Sequence, residues 1–252
     1  MRHIQIIFFL LLLGACASKT DLSDIDYEKI FKKGKVALDK KKFLKAQELF
    51  NTVIIGARHT EYGDDALFYL GESYFLNKEY ILATAEFDKL IRRMQFSPFV
   101  ETARYRICES FLAESPKYYH DQSYTEKALN KFQEFLDDYP NSQKVGDIQV
   151  IIGTLRYKLA RKAFETGILY IKLREFESAI IAFTNVTDSY YDTEFYFKSQ
   201  VNIIRCYLEL GSVSKAREYY ESSINGIDSE GWIDTIELWL SEGKYSAVKG
   251  LR

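Results

Sequence analysis

The sequence predicts an all-α chain, a solenoid of about five helix pairs closed by a C-terminal helical segment. Three observations carry this. Glycine followed by an aromatic three residues later, an alanine twelve later and an aromatic sixteen later is a spacing that recurs along the chain. The 252 residues contain only three prolines, Pro98, Pro116 and Pro140, each where a helix should begin or end, because proline cannot continue a helix interior. The apolar fraction of 47% is ample for a core, so disorder is not the default class.

The chain opens with Met1-Arg2-His3, an apolar run over residues 4–13, and then Leu13-Gly14-Ala15-Cys16. A basic start, a short apolar segment and a small-residue cleavage site predict a secretory signal peptide over residues 1–15. Such a run is far shorter than the ~20 residues a helix needs to span a bilayer. Cysteine directly after small residues resembles the lipobox of bacterial lipoproteins, which implies that Cys16 is acylated and becomes the new N-terminus. Several acyl chains at ~0.8 kcal/mol per buried methylene hold a protein firmly on a membrane. Residues 16–26 are the lipidated N-terminus and a short linker, and the stretch from Ala17 to Asp26 reaches at most roughly 33 Å.

The repeats follow in order. Gly34, Ala46 and Phe50 define the first, and Gly71, Tyr74, Ala83 and Phe87 the second. Cys108 and Phe111 start the third, but Ala128, Phe132 and Phe135 come eight residues late, after an irregular insertion over 113–125 that contains Pro116. Tyr139-Pro140-Asn141-Ser142 closes it. A long helix is predicted over 145–172, and its later part opens the fourth repeat at Gly167, with Tyr170, Ala179 and Phe183. Ile204 replaces glycine in the fifth, with Tyr207, Ala216 and Tyr220. Residues 232–248 are a candidate capping helix, since terminal repeats need a modified outer face. The pattern resembles the tetratricopeptide repeat, a helix-turn-helix unit of about 34 residues. The small residue lets the paired helices approach closely, and the aromatics fill the space between neighbouring pairs.

Lipobox, repeat count and third-repeat insertion together resemble the BamD family of lipoproteins of the outer-membrane β-barrel assembly machinery. The phrases that carry the match are Tyr119-His120-Asp121-Gln122 leading to Phe132 and Phe135, Leu155-Arg156-Tyr157-Lys158-Leu159-Ala160, and Glu175-Phe176-Glu177-Ser178-Ala179 with Phe183. One departure is Tyr191, standing where the family often has proline before Asp192-Thr193. The resemblance implies a non-enzymatic assembly factor, lipid-anchored on the periplasmic face of the outer membrane. Its expected partners are the central barrel assembly protein, accessory lipoproteins and unfolded segments of outer-membrane proteins. Residues 27–142, repeats 1–3, would carry the precursor-binding trough. Residues 143–225, repeats 4–5, would dock the central partner, roughly over 174–225, and residues 226–252 would be a tail or cap. Ala17 is not the aspartate that retains well-studied proteobacterial lipoproteins at the inner membrane, which favours the outer one. An envelope adaptor that recruits peptidoglycan enzymes through the same repeats is the alternative.

The residues themselves hold little chemistry. Of three histidines, His3 leaves with the signal, His59 ends the first repeat and His120 lies in the insertion, with no His-Glu-x-x-His spacing among them. Nucleophile elbow, phosphate loop and dinucleotide fingerprint are all missing, so neither an enzyme nor a cofactor is expected. A net charge of −2 gives no basic footprint for nucleic acid. An oxidising compartment makes a Cys108–Cys206 bridge conceivable, but both fall in helical apolar patterns, which favours two separate buried thiols. Repeat arrays of this kind present the first helix of each pair on a concave face. Its inward offsets give Phe31 and Lys35, then Phe68, Glu72 and Phe75, then Tyr105 and Glu109. Two readings of the aromatics stay open: a peptide-binding trough of Phe31, Phe68, Phe75 and Tyr105, or filler between repeats.

Overall fold

The computed structural model describes residues 25–57, 60–227 and 231–246. Cys16, the signal segment, most of the linker and His59 lie outside them. Among the described residues there are eleven helices: α1 Tyr27–Asp39, α2 Phe43–Gly56, α3 Glu61–Leu76, α4 Tyr80–Arg93, α5 Val100–Glu114, α6 Ser123–Asp138, α7 Val145–Leu173, α8 Phe176–Ser189, α9 Phe195–Glu209, α10 Val213–Ile227 and α11 Ile233–Glu242. Five antiparallel pairs and a final helix make the all-α solenoid that the spacing predicted. None of these helices is long and apolar enough to cross a membrane.

The recurring glycine works sterically. A Cβ built on Gly34, Gly71 or Gly167 would lie 2.7, 2.6 and 2.6 Å from the ring of Phe50, Phe87 and Phe183 respectively. Each of those rings is fully buried, so the first helix touches its partner through a missing side chain. In the third repeat Cys108 takes the position, and its Sγ donates to the Lys131 carbonyl at 3.2 Å.

Four of the five pairs end their first helix in the same way; α5 instead runs out into the extended Ser115. Lys42 N–H reaches the Ala37 carbonyl and Lys41 N–H the Leu38 carbonyl, at 2.9 and 2.8 Å. The same two bonds close the turns at Lys78, Arg174 and Gly211. This is a Schellman stop, which needs one residue in the left-handed region. Lys41, Lys78, Arg174 and Gly211 supply it, with φ of 55°, 64°, 62° and 69°. All four stand seven residues after the small or apolar position that opens the repeat pattern.

Every core is finished by the next repeat. Phe50 and Val53 of the first pair pack against Ala66 and Leu70 of α3, and Phe87 and Leu90 of the second against Ala103 and Ile107 of α5. The third core, with Phe132 and Phe135, is closed by Ile148 and Leu155 of α7. The fourth, with Phe183, is closed by Phe195, Ile203 and Cys206 of α9. In the last, α11 places Ile236, Trp239 and Leu240 over Val201, Ile204 and Tyr220. No single pair buries its apolar face alone, which is the logic of a repeat array. The cap helix stops at Glu242, short of the 248 expected, because Gly243 turns left-handed at φ 64°.

The long helix α7, 29 residues, belongs to two repeats. Its first half completes the third core and its second half, from Ala160 to Ile171, builds the fourth. The insertion before α6 lies against it. Arg161 stacks its guanidinium 4.0 Å from the Tyr118 ring, Lys162 Nζ donates to the Tyr119 carbonyl at 3.1 Å, and Lys158 Nζ reaches Ser115 Oγ at 2.7 Å. Within the insertion, the buried Gln122 amide donates to the Lys117 and His120 carbonyls at 2.9 and 3.0 Å.

Candidate functional site: the inner face of repeats 1 to 3

First helices of successive pairs pack on one another, α1 on α3, α3 on α5 and α7 on α9, and so line the inner side of the array. Along this side the sequence expected Phe31, Phe68, Phe75 and Tyr105. The structure separates them. Phe31 is 7% exposed, wedged among Phe50, Tyr62 and Tyr69, and Phe68 is 6% exposed with its ring stacked 4.4 Å from Phe99. These two belong to the cores between repeats, because the following first helix closes over them. For these two the burial favours inter-repeat filler over a peptide-binding trough. Phe75 and Tyr105, on the first helices α3 and α5, stay half-buried.

Between those two aromatics sits a charged cluster. Arg106 holds Glu72 through a two-pronged contact, Nε to Oε1 at 2.6 Å and Nη2 to Oε2 at 3.1 Å, and reaches Glu109 through Nη1 at 2.7 Å. Its guanidinium also lies 4.8 Å from the Phe75 ring. Burial by itself would lower the Arg106 pKa, but hydrogen bonds and charge from Glu72 and Glu109 outweigh that and hold it above its ordinary value. The fork geometry suits a carboxylate pair and fixes the guanidinium plane against the aromatic.

Cations flank the cluster on both sides. Lys35 Nζ stands 4.6 Å from the Tyr69 ring, and Lys144 Nζ 5.0 Å from the Tyr105 ring. Tyr105 packs edge-on to Phe132 and Phe135, and burial pushes its hydroxyl pKa up. The inner face is therefore a row, Lys35–Tyr69, Glu72–Arg106–Glu109 with Phe75, and Tyr105–Lys144. It offers flat apolar rings beside fixed polar groups, a surface suited to an extended chain with spaced side chains.

Sequence reasoning found Lys35, Glu72, Phe75, Tyr105 and Glu109 but missed Tyr69, Arg106 and Lys144. The period itself held the signal for Arg106, which stands 34 residues after Glu72, one repeat later.

Both remaining cysteines are free and buried, in different cores. Burial pushes each thiol up to about 12, so neither offers a thiolate nucleophile near neutral pH.

Known proteins resemble this chain over most of its length. A family model described as YfiO, outer membrane lipoprotein, matches residues 23–222. Outer membrane protein assembly factor BamD of Rickettsia prowazekii (strain Madrid E) is 28% identical over 211 residues, 83% of this chain and 84% of the relative. The protein of the same name from Caulobacter vibrioides is 22% identical over 248 residues, 95% of this chain and 81% of the relative. Among solved structures, a tetratricopeptide repeat protein from Parabacteroides merdae aligns with a TM-score of 0.37 at 16% identity, covering 86% of this chain and 70% of the other.

Proposed function

Since the chain belongs to the YfiO family of outer membrane lipoproteins, we propose that it is a non-enzymatic assembly factor for outer-membrane proteins. The observation that carries this reading is the family match over residues 23–222, which spans all but the end of the repeat array. The two relatives named as assembly factors align with 83% and 95% of the chain and support it. In this reading Cys16 is acylated and holds the array on the periplasmic face of the outer membrane. The inner face of repeats 1 to 3 receives unfolded precursor segments, with Phe75 and Tyr105 as apolar anchors and Arg106 as a polar one. Repeats 4 and 5 dock the central barrel assembly protein, beside accessory lipoproteins.

The mechanism is one of local concentration. An anchored array turns a weak peptide interaction into an intramolecular encounter beside the insertion site, with effective concentrations of order mM for short tethers. No bond is made or broken, and the buried thiols take no part. The half-buried aromatics are suited to the work because binding energy concentrates in such anchors.

Co-purification in mild detergent tests the function, with the partners identified by mass. A barrel protein with periplasmic domains supports assembly; a cell-wall hydrolase in its place would move the protein to the adaptor reading. For the groove, Phe75→Ala should weaken crosslinking to a C-terminal peptide of an outer-membrane protein by about thirtyfold, the scale of a hot-spot residue. Helicity should be unchanged, since Phe75 is half-exposed. Equal crosslinking in variant and parent would remove the groove from the mechanism.

A further inference from the structure

The first helix pair is charged unlike the rest of the chain. Between Ile25 and Lys45 stand eight lysines, at 29, 32, 33, 35, 40, 41, 42 and 45, against three carboxylates, Asp26, Glu28 and Asp39, while the whole chain carries a net charge of −2. Seven of these lysines are exposed and only Lys35 is half-buried. Lys29, Lys33, Val36 and Lys40 recur at helical spacing along an exposed side of α1, beside the face that buries Phe31, Gly34 and Ala37. Lys41 and Lys42, both exposed, follow in the turn, and Leu44 at 73% exposure and Val36 at 51% add exposed aliphatic surface to the same pair.

Most of these charges have no ionic partner. Lys32 pairs with Glu28 and Lys45 with Glu48, but Lys29, Lys33, Lys40, Lys41 and Lys42 form no ion pair among the described residues. A second basic stretch, on α7, is different in kind. There Arg156 is held by Asp192, Arg161 lies on Tyr118, and Lys158 and Lys162 are tied to the insertion. Those cations build the fold, whereas Lys29, Lys33, Lys40, Lys41 and Lys42 are exposed among the described residues.

We propose that this exposed side of α1 and the following turn rests on a bilayer surface rich in anionic phospholipid, and so sets how the array stands on its membrane. The proposal depends on the reading of Cys16 as the lipid anchor. Residues 17–26 reach at most roughly 33 Å, and α1 itself is about 20 Å long, so its whole lysine stripe lies within range of the leaflet that holds the acyl chains. Lysines next to an anionic surface add affinity at about fivefold each. Acyl chains hold the protein; the lysines orient it. The linker's own charges, Lys19 against Asp21 and Asp24, do not supply this attraction.

The test separates the face from the anchor. The mature chain with Cys16→Ser is partitioned onto phosphatidylcholine vesicles with and without a one-third share of phosphatidylglycerol. It should bind the anionic vesicles, more weakly as salt rises. Changing Lys29, Lys33, Lys40 and Lys41 together to Gln should cut that binding by roughly several hundredfold. A charge-matched control, with Lys172, Arg174, Lys215 and Arg217 changed to Gln, should lose less than about tenfold, and circular dichroism shows whether each set stays folded. Equal binding to both vesicle types, or equal loss in both variants, overturns the proposal. So does saturable binding of polyglutamate with no binding to anionic vesicles, which would assign the face to an acidic protein segment. In the acylated parent, amine labelling of the α1 lysines should fall on anionic vesicles and not on neutral ones. If that chain carries no lipid, the anchor reading fails while the partition result still stands.

Discussion

At the scale of single residues, two glycines give opposite forecasts. A methyl group at Gly71 would lie 2.6 Å from the fully buried Phe87 ring, which has no room to retreat. Gly71→Ala should therefore cost about 2 kcal/mol, within the range for overfilling a core. At Gly153, on the open side of α7, nothing stands within 4 Å of the added carbon. Gly153→Ala should stabilise by about 0.5–1 kcal/mol, because alanine lowers the entropy cost of a helix interior. Urea titration of the two variants checks both signs, and a destabilised Gly153→Ala would mean that α7 has an undetected neighbour. The role of Gly71 was legible in the sequence, because its distance to Phe87 recurs at Gly34 and Gly167. Phe31 and Phe68 were less legible. The same helical offset serves an inner surface or an inter-repeat core, and only the tilt of the next helix decides between them. Arg106 was hidden for another reason: its two carboxylates lie on two elements, and a local reading sees only Glu109.

Elements behave alike where their stops are alike. Four first helices end in the same two-bond motif, yet only Gly211 is the residue usually found there. Lys41, Lys78 and Arg174 adopt left-handed φ at a cost of about 1 kcal/mol each. A basic side chain at a helix C-terminus returns part of that through the helix dipole, at ~0.3 kcal/mol or more. Lys78→Gly should relieve the strain, gain about 0.5 kcal/mol after the added freedom of the unfolded chain is counted, and raise Tm by roughly 1–2 °C. A lower Tm would show that the lysine makes a contact worth more than its strain. These turns were unreadable as such, since a search for helix stops looks for glycine and finds lysine. The insertion before α6 was seen as a break in helical pattern, but its attachment was not. Tyr118 and Ser115 find Arg161 and Lys158 across more than forty residues, a distance at which periodicity says nothing.

For the whole molecule, stability runs along the array and not through a single centre. Each core needs the next first helix, and the last needs α11, so the C-terminal end is where unfolding should start. Trp239, 1% exposed, is the largest side chain of that closure. Trp239→Ala should cost about 3–5 kcal/mol locally, and native-state hydrogen exchange should show α9 to α11 losing protection while α1 to α4 keep theirs. Uniform loss along the chain would mean a single cooperative unit instead. The number of pairs and the closing helix were both visible in the sequence, as was the length of α7. That this one helix serves two cores was not, because a repeat pattern marks only its second half. At 29 residues it is about 43 Å of unbroken helix. Most junctions between repeats are loops that can flex; this one is a strut. Under the proposed function, a torque applied by a partner at repeats 4 and 5 would tilt the front groove as a lever tilts its load, and the angle at which a precursor is presented would be set by where that partner grips.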